Sequence, residues 1–284
     1  MILLERTKEI CKLYDIWPSR SKGQNFLIAE NVYDEIIKAA DLSKADTVLE
    51  VGPGLGFLTA KLAKVAGKIL AVELDDKLAA YLRDAISSGD TENVEIINEN
   101  ILDFKVLETF SKFKIQNSKF KIVANLPYNI TSVFLRKFLT AKNKPEQMVL
   151  MLQKEVAERI CAKPGDMSLL ALSVQFFAEP EIIATVPKEN FWPMPKVDSA
   201  IIKIKVKSYK VESNIEEKEF FRLAKFGFSA KRKMLKNNLA GGLHLKPSAV
   251  EAMLVESGLN PKTRAEDLSV NDWLRLAKRV THNT

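Results

Sequence analysis

Two short stretches of this chain carry residue types that could do chemistry together. The first is Val123-Ala124-Asn125-Leu126-Pro127-Tyr128-Asn129-Ile130. An apolar run from Ile122 to Ala124 ends in an amide, a proline and an aromatic, which suits a pocket holding a flat, amine-bearing ring against a reactive group. The Asn125 carboxamide and the Leu126 backbone carbonyl can accept the two N–H bonds of an exocyclic amine. Pro127 fixes the turn, and the Tyr128 ring offers a face on which a base can stack. Taken by themselves these residues serve equally well as an ordinary strand-to-helix turn.

The second stretch is the apolar strand Thr47-Val48-Leu49-Glu50-Val51, followed at once by Gly52-Pro53-Gly54-Leu55-Gly56. Leu58, Leu62 and Val65 then recur at helical spacing until Gly67, and a further strand, Ile69 to Val72, ends in Glu73. This is a β-α-β unit with a glycine-rich first turn and an acid about 20 positions on. Such units place a cofactor at the strand C-termini, with the acid bonding ribose hydroxyls. The spacing is G-x-G-x-G, not the dinucleotide G-x-G-x-x-G, and Pro53 removes an N–H that a pyrophosphate would use. A ligand with a ribose and an amino-acid tail fits better, which points to S-adenosylmethionine over NAD. Gly52 and Gly54 would let the backbone approach the methionine portion, and Glu73 would accept from both ribose hydroxyls.

The elements that must position these residues alternate between strand and helix periods. Asn31 is expected to cap a helix over about 32–40, and a helix over about 77–86 leads to a strand at Val94 to Ile97. Asn98-Glu99-Asn100 follows as a polar strand end, where adenine recognition is expected. The strand Lys121 to Leu126 then delivers Asn125 at the same sheet edge. Helix over 131–139, strand over 147–152, helix over 153–160 and an apolar helix over 167–177 follow, and 181–186 with 200–206 read as an antiparallel pair closing the sheet. Between that pair, Phe191-Trp192-Pro193-Met194-Pro195 forms a stiff loop suited to aromatic packing or to base stacking. From Glu219 onward only helical periods appear, over 220–228, 231–239, 247–257 and 270–280. The boundary falls near residue 208, giving an α/β domain over 1–208 and a small all-α domain over 209–284. Lys225, Lys231, Arg232, Lys233 and Lys236 cluster without an intervening acid, as a phosphate-contacting surface would.

Composition narrows the classes. At 284 residues, 46% hydrophobic and 28% charged, the chain is globular and long enough for one large and one small domain. No apolar run approaches the roughly 20 residues of a membrane span, and the first residues lack a signal-peptide core. Cys11 and Cys161 fit no metal spacing and suggest a reducing cytoplasm. Only His244 and His282 occur, so a histidine base, a zinc site or another metal centre is not expected. The net charge of +7 permits a polyanionic partner.

Together these segments resemble the ribosomal RNA adenine dimethyltransferases, in particular the bacterial small-subunit enzymes. The likeness rests on Gly23-Gln24-Asn25-Phe26-Leu27, Glu50 through Gly56, Asn125 through Ile130, Met151 through Val156, Phe191 through Ala200 and Lys231-Arg232-Lys233. The resemblance implies a Rossmann-like S-adenosylmethionine-dependent methyltransferase sheet of seven strands followed by a small helical domain. It implies that Asn25, Leu27, Gly52, Gly54, Glu73, Asn100 and Asn125 bind the cofactor, and that Asn125, Leu126, Pro127, Tyr128 and Phe191 form the catalytic pocket. RNA contacts are expected at Lys231, Arg232, Lys233 and Lys236. Two departures stand out: the family usually has Asp where this chain has Asn100, which predicts a weaker cofactor grip, and Arg where it has Lys231. The expected reaction is methyl transfer to N6 of two adjacent adenosines near the 3′ end of small-subunit rRNA, within an immature 30S particle, by a cytoplasmic monomer. The rivals are a large-subunit methyltransferase of the macrolide-resistance type, a DNA adenine methyltransferase, and a non-catalytic RNA-binding assembly factor on the same fold.

Overall fold

Strands whose apolar residues run without alternation dictate a sheet covered on both faces. The computed structural model describes residues 3–18, 24–87, 91–113, 115, 119–207 and 216–282. Helix α1 (Leu3–Leu13), strand β1 (Phe26–Leu27) and helix α2 (Glu30–Ala40) come first. The alternating part follows as β2 (Thr47–Val51), α3 (Phe57–Val65), β3 (Lys68–Glu73), α4 (Asp76–Ser87) and β4 (Val94–Asn98). It continues as α5 (Val106–Lys112), β5 (Lys121–Asn125), α6 (Thr131–Thr140), β6 (Gln147–Gln153), α7 (Lys154–Ile160) and α8 (Leu169–Phe177). After β7 (Ala178–Val186), β8 (Phe191–Trp192) and β9 (Ser199–Val206), the chain is helical as α9 (Glu217–Gly227), α10 (Leu235–Leu243), α11 (Pro247–Glu256) and α12 (Val270–His282).

Among the described residues seven strands form one sheet in the order β4-β3-β2-β5-β6-β9-β7. Neighbours from β4 to β6 are parallel, and β9 runs antiparallel to β6. Chain order reverses between β2 and β5, and that reversal splays the following turns apart and opens a crevice at the strand C-termini. The register is tight there, since Val51 lies opposite both Val72 and Ala124. Val48, Leu49, Leu70, Ile122 and Val123 are fully buried and make the strand layer rigid.

The chain divides into two compact units, Met1–Ala157 with Pro180–Val206, and Glu158–Glu179 with Lys207–Thr284. The expected boundary at residue 208, like Gly23, lies outside the described residues. The helical unit takes in a segment that a single cut does not separate: the Gly165 and Met167 N–H groups donate to the Glu266 carbonyl, and Phe176 packs on Phe220 at 4.4 Å. Two local expectations are corrected. Asn31 is no cap, because α2 already begins at Glu30 and no side chain caps it. Residues 231–234 are not helical; they turn, with the Lys233 N–H on the Ala230 carbonyl, and α10 starts at Leu235.

Candidate active site

The turn after β2 is built from backbone. Gly52 and Gly54 have φ of 65° and 59°, a region that costs an L side chain about 1–2 kcal/mol. The Gly52 N–H stays on the sheet by donating to the Val72 carbonyl at 3.0 Å. The Gly54 N–H turns instead to Glu73, donating to Oε2 at 3.1 Å, while the Asp75 N–H donates to Oε1 at 2.9 Å. Glu73 is buried at the end of β3; burial pushes its pKa up, and the Asp75 and Gly54 N–H groups oppose that. Each Glu73 oxygen keeps further lone pairs for a ligand.

The turn after β5 is built from side chains and a carbonyl. The Leu126 side chain is buried, and its N–H donates to the Met151 carbonyl at 3.2 Å, so the turn is pinned to β6. Pro127 sits at φ −56° and ψ 130°, swinging the chain into a single 3₁₀ turn over Tyr128–Ile130. Neither the Asn125 carboxamide nor the Leu126 carbonyl takes part in the hydrogen bonds among the described residues. The Tyr128 hydroxyl lies 2.8 Å from Ser199 Oγ, and burial raises the phenol pKa against the pull of that hydrogen bond.

These two turns face one cavity of about 250 Å³. A side-chain carbon placed on Gly52 would stand 3.8 Å from the Asn125 carbonyl oxygen, so the backbones are adjacent. The cavity wall includes every residue singled out for the cofactor (Asn25, Leu27, Gly52, Gly54, Glu73, Asn100 and Asn125) and for the pocket (Leu126, Pro127, Tyr128 and Phe191). Asn25, Leu27 and Phe191 arrive through a small ribbon in which β1 pairs antiparallel with β8, Leu27 opposite Phe191. The Tyr33 hydroxyl locks it by donating to the Leu27 carbonyl at 2.8 Å. Asn100 folds on itself: its Oδ1 accepts from the Leu102 N–H at 3.0 Å, which leaves one lone pair and the NH₂ group for a ligand.

Sequence reasoning missed two residues here. Glu50 lines the cavity from within β2, wholly buried, with both carboxylate oxygens unpartnered. Burial pushes its pKa up to about 8; the nearby Thr59 hydroxyl pulls the other way without reaching hydrogen-bond geometry. An acid among apolar strand neighbours was the available signal. Ser199 joins the site through Tyr128, and nothing in its local sequence marks it. In the helical unit, Lys231, Arg232 and Lys233 are exposed on the turn before α10. That turn is held by buried Asn238, whose Nδ2 donates to the Gly227 and Ala230 carbonyls at 2.6 and 3.0 Å. Lys236 differs from them, being tied to Glu251 at 2.6 Å.

S-adenosylmethionine fits these residues. It needs acceptors for ribose hydroxyls, close backbone approach, and a home for an ammonium and a sulfonium. Glu73, the two glycines and the unpartnered Glu50 side chain, which a bound cation would draw toward its ionised form, answer those needs in turn. Among the described residues, no three His, Cys, Asp or Glu side chains group to hold a metal, and no helix is long and apolar enough to cross a membrane.

Comparison with known proteins decides the family. The model of the ribosomal RNA adenine dimethylase family matches residues 19–282. The chain belongs to that family. It is 44% identical over 281 residues to the ribosomal RNA small subunit methyltransferase A of Dehalococcoides mccartyi, covering 99% of this chain and 94% of the relative. The protein of the same name from Clostridioides difficile is 38% identical over 276 residues, covering 96% and 94%. Among solved structures, a dimethyladenosine transferase from Plasmodium falciparum superposes with a TM-score of 0.75 at 26% identity, covering 88% of this chain and 95% of that one. The 23S rRNA methyltransferase ErmE gives a TM-score of 0.71 at 28% identity, covering 90% and 100%. As a member of the family, the chain is an S-adenosylmethionine-dependent methyltransferase on a Rossmann-like α/β sheet.

Proposed function

We propose that this chain dimethylates N6 of adenosine in small-subunit ribosomal RNA, at two adjacent adenosines near the 3′ end, during assembly of the 30S subunit. The observation that carries this is the single cavity shared by the glycine turn after β2 and the Asn125 turn after β5. The full-length likeness to small subunit methyltransferases A supports the choice of RNA.

When bound, S-adenosylmethionine supplies a methyl group activated by a sulfonium. The chain's own residues do the rest. Glu73 accepts from the ribose hydroxyls, Gly52 and Gly54 leave room for the methionine portion, and Asn25, Leu27 and Asn100 complete the cradle. The target base leaves its stack and enters between Tyr128 and Phe191. An adenine amine is a poor nucleophile because its lone pair is delocalised into the ring. In the first transfer the Asn125 carboxamide oxygen and the Leu126 carbonyl would accept its two N–H bonds, and in the second the one that remains, localising the lone pair; the proton displaced at each transfer passes to water. Rate is gained by orientation and electrostatics, with no strong base required. We assign the chemistry to residues 1–208 and RNA contact to 209–284, where Lys231, Arg232 and Lys233 meet phosphates; Lys236 contributes less, being shared with Glu251. The enzyme acts as a cytoplasmic monomer, without a metal, on an immature particle.

The test is to incubate the protein with labelled methyl donor and immature small subunits, naked large-subunit rRNA or DNA, then map the modified nucleotides. Two adjacent dimethyladenosines in the small-subunit arm are expected. Label confined to the large-subunit or DNA arm would overturn the substrate, and label in none would overturn the activity.

A further inference from the structure

Ser199 has a buried hydroxyl whose one hydrogen bond among the described residues reaches from β9 to a residue of the cavity wall, Tyr128. It is fully buried, and its Oγ lies 2.8 Å from the Tyr128 hydroxyl. The two residues stand on very different foundations. Ser199 opens β9, which is paired with β6 at every residue from Ser199 to Lys205. Just before it, the Asp198 carbonyl accepts from the Lys154 N–H at 3.0 Å and the Asp198 carboxylate from the Lys188 N–H at 3.1 Å. Tyr128 sits in a single 3₁₀ turn held by the Ile130 N–H on the Pro127 carbonyl and the Thr131 hydroxyl on the Tyr128 carbonyl, at 3.2 and 3.3 Å. Among the described residues no hydrogen bond from that turn reaches the ring hydroxyl. The antiparallel course of β9 is what brings a rigid residue to this place, since the strand begins where the parallel strands end.

We propose that Ser199 is a positioning residue: its hydroxyl holds the Tyr128 ring at the tilt against which the target adenine lies when its amine meets Asn125. This rests on the reading of Tyr128 as a wall of the base pocket. Alignment of a reacting pair tolerates little looseness, because attack requires near-contact geometry and in-line orientation. A ring free to swing leaves the cofactor cradle intact and spoils only the aim of the base. The bond could also serve merely to satisfy a buried hydroxyl; that role would move melting temperature and leave turnover alone.

The experiment is a double-mutant cycle on the full chain with Ser199→Ala, Tyr128→Phe and both together. Single-turnover methylation of immature small subunits is read beside S-adenosylmethionine affinity by calorimetry. Each single variant should lose about tenfold in rate with cofactor affinity unchanged, and the double variant should be no slower than the slower single, since both remove one bond. Parental rate in Ser199→Ala, or losses that multiply, would overturn the inference. Should Ser199→Ala fail to fold, Tyr128→Phe decides, because it keeps the ring and removes only the hydroxyl; parental rate there overturns it equally. Asn125→Ala in the same assay separates the levels. If it is slow while the cycle is flat, this inference alone falls; if it too runs at the parental rate, the reading of the pocket falls.

Discussion

The two turns that face the cavity follow strands lying side by side, yet they are made in opposite ways. After β2 the chain exposes backbone: left-handed glycines and an N–H turned onto Glu73. After β5 it exposes an amide, a bare carbonyl and a ring, held by Pro127 and by a buried leucine. The first is shaped to let a ligand come close, and the second to grip particular atoms of one. Under the proposed function, one sheet edge holds a donor molecule where backbone is exposed and an acceptor base where an amide, a carbonyl and a ring are. Substitutions should therefore separate cofactor binding from methyl transfer.

The largest separation is expected at the turn after β5. Asn125→Ala should slow single-turnover methylation by roughly 10²–10³, the usual loss of one aimed polar group, while calorimetry shows a much smaller loss of cofactor affinity, about tenfold, because Asn125 also belongs to the cofactor cradle. Next comes Glu50, two residues before Gly52. Its folded pKa, raised from 4.5 to about 8, means the folded protein prefers the protonated form. Stability is therefore fully present below pH 4.5 and lost as pH climbs toward 8. Glu50→Gln removes that penalty: thermal unfolding of the cofactor-free variant should show a gain of about 1–3 kcal/mol near pH 9 that vanishes near pH 4, together with weaker cofactor binding. Gly52→Ala introduces strain of about 1–2 kcal/mol at positive φ, so cofactor affinity should fall about tenfold while the rate at saturating cofactor changes little. The smallest effect belongs to Asn100→Asp. An aspartate can keep the Leu102 N–H and offer a second acceptor, so calorimetry should find affinity tightened several-fold.

Much of this was legible in the residues. Uninterrupted apolar strands, helical spacing and the glycine turn ending in an acid at Glu73 are local signals, and they lead to the observed sheet and to the edge where the cavity opens. Contacts made by distant pairing were not legible. The Leu27–Phe191 ribbon depends on two-residue strands with no periodicity to read. Ser199 reaches Tyr128 only because β9 reverses direction beside β6. Segment 158–179 joins the helical unit through carbonyl contacts to Glu266, which no composition shift announces. The helical period over 231–239 extends a helix across the basic cluster, whereas the chain turns at Lys231–Lys233 and buries Asn238 beneath it.

The central claim is that the adenine amine is received by Asn125 and Leu126 in the same cavity that holds the methyl donor at the glycine turn. A crystal structure of the full chain with S-adenosylhomocysteine and a short RNA carrying the target adenosines tests it directly. The account predicts N6 of a flipped adenine about 3 Å from both Asn125 Oδ1 and the Leu126 carbonyl oxygen, with the sulfur facing that nitrogen from the Gly52 side. An adenine seated outside this cavity, or one turning its amine away from Asn125, would contradict it.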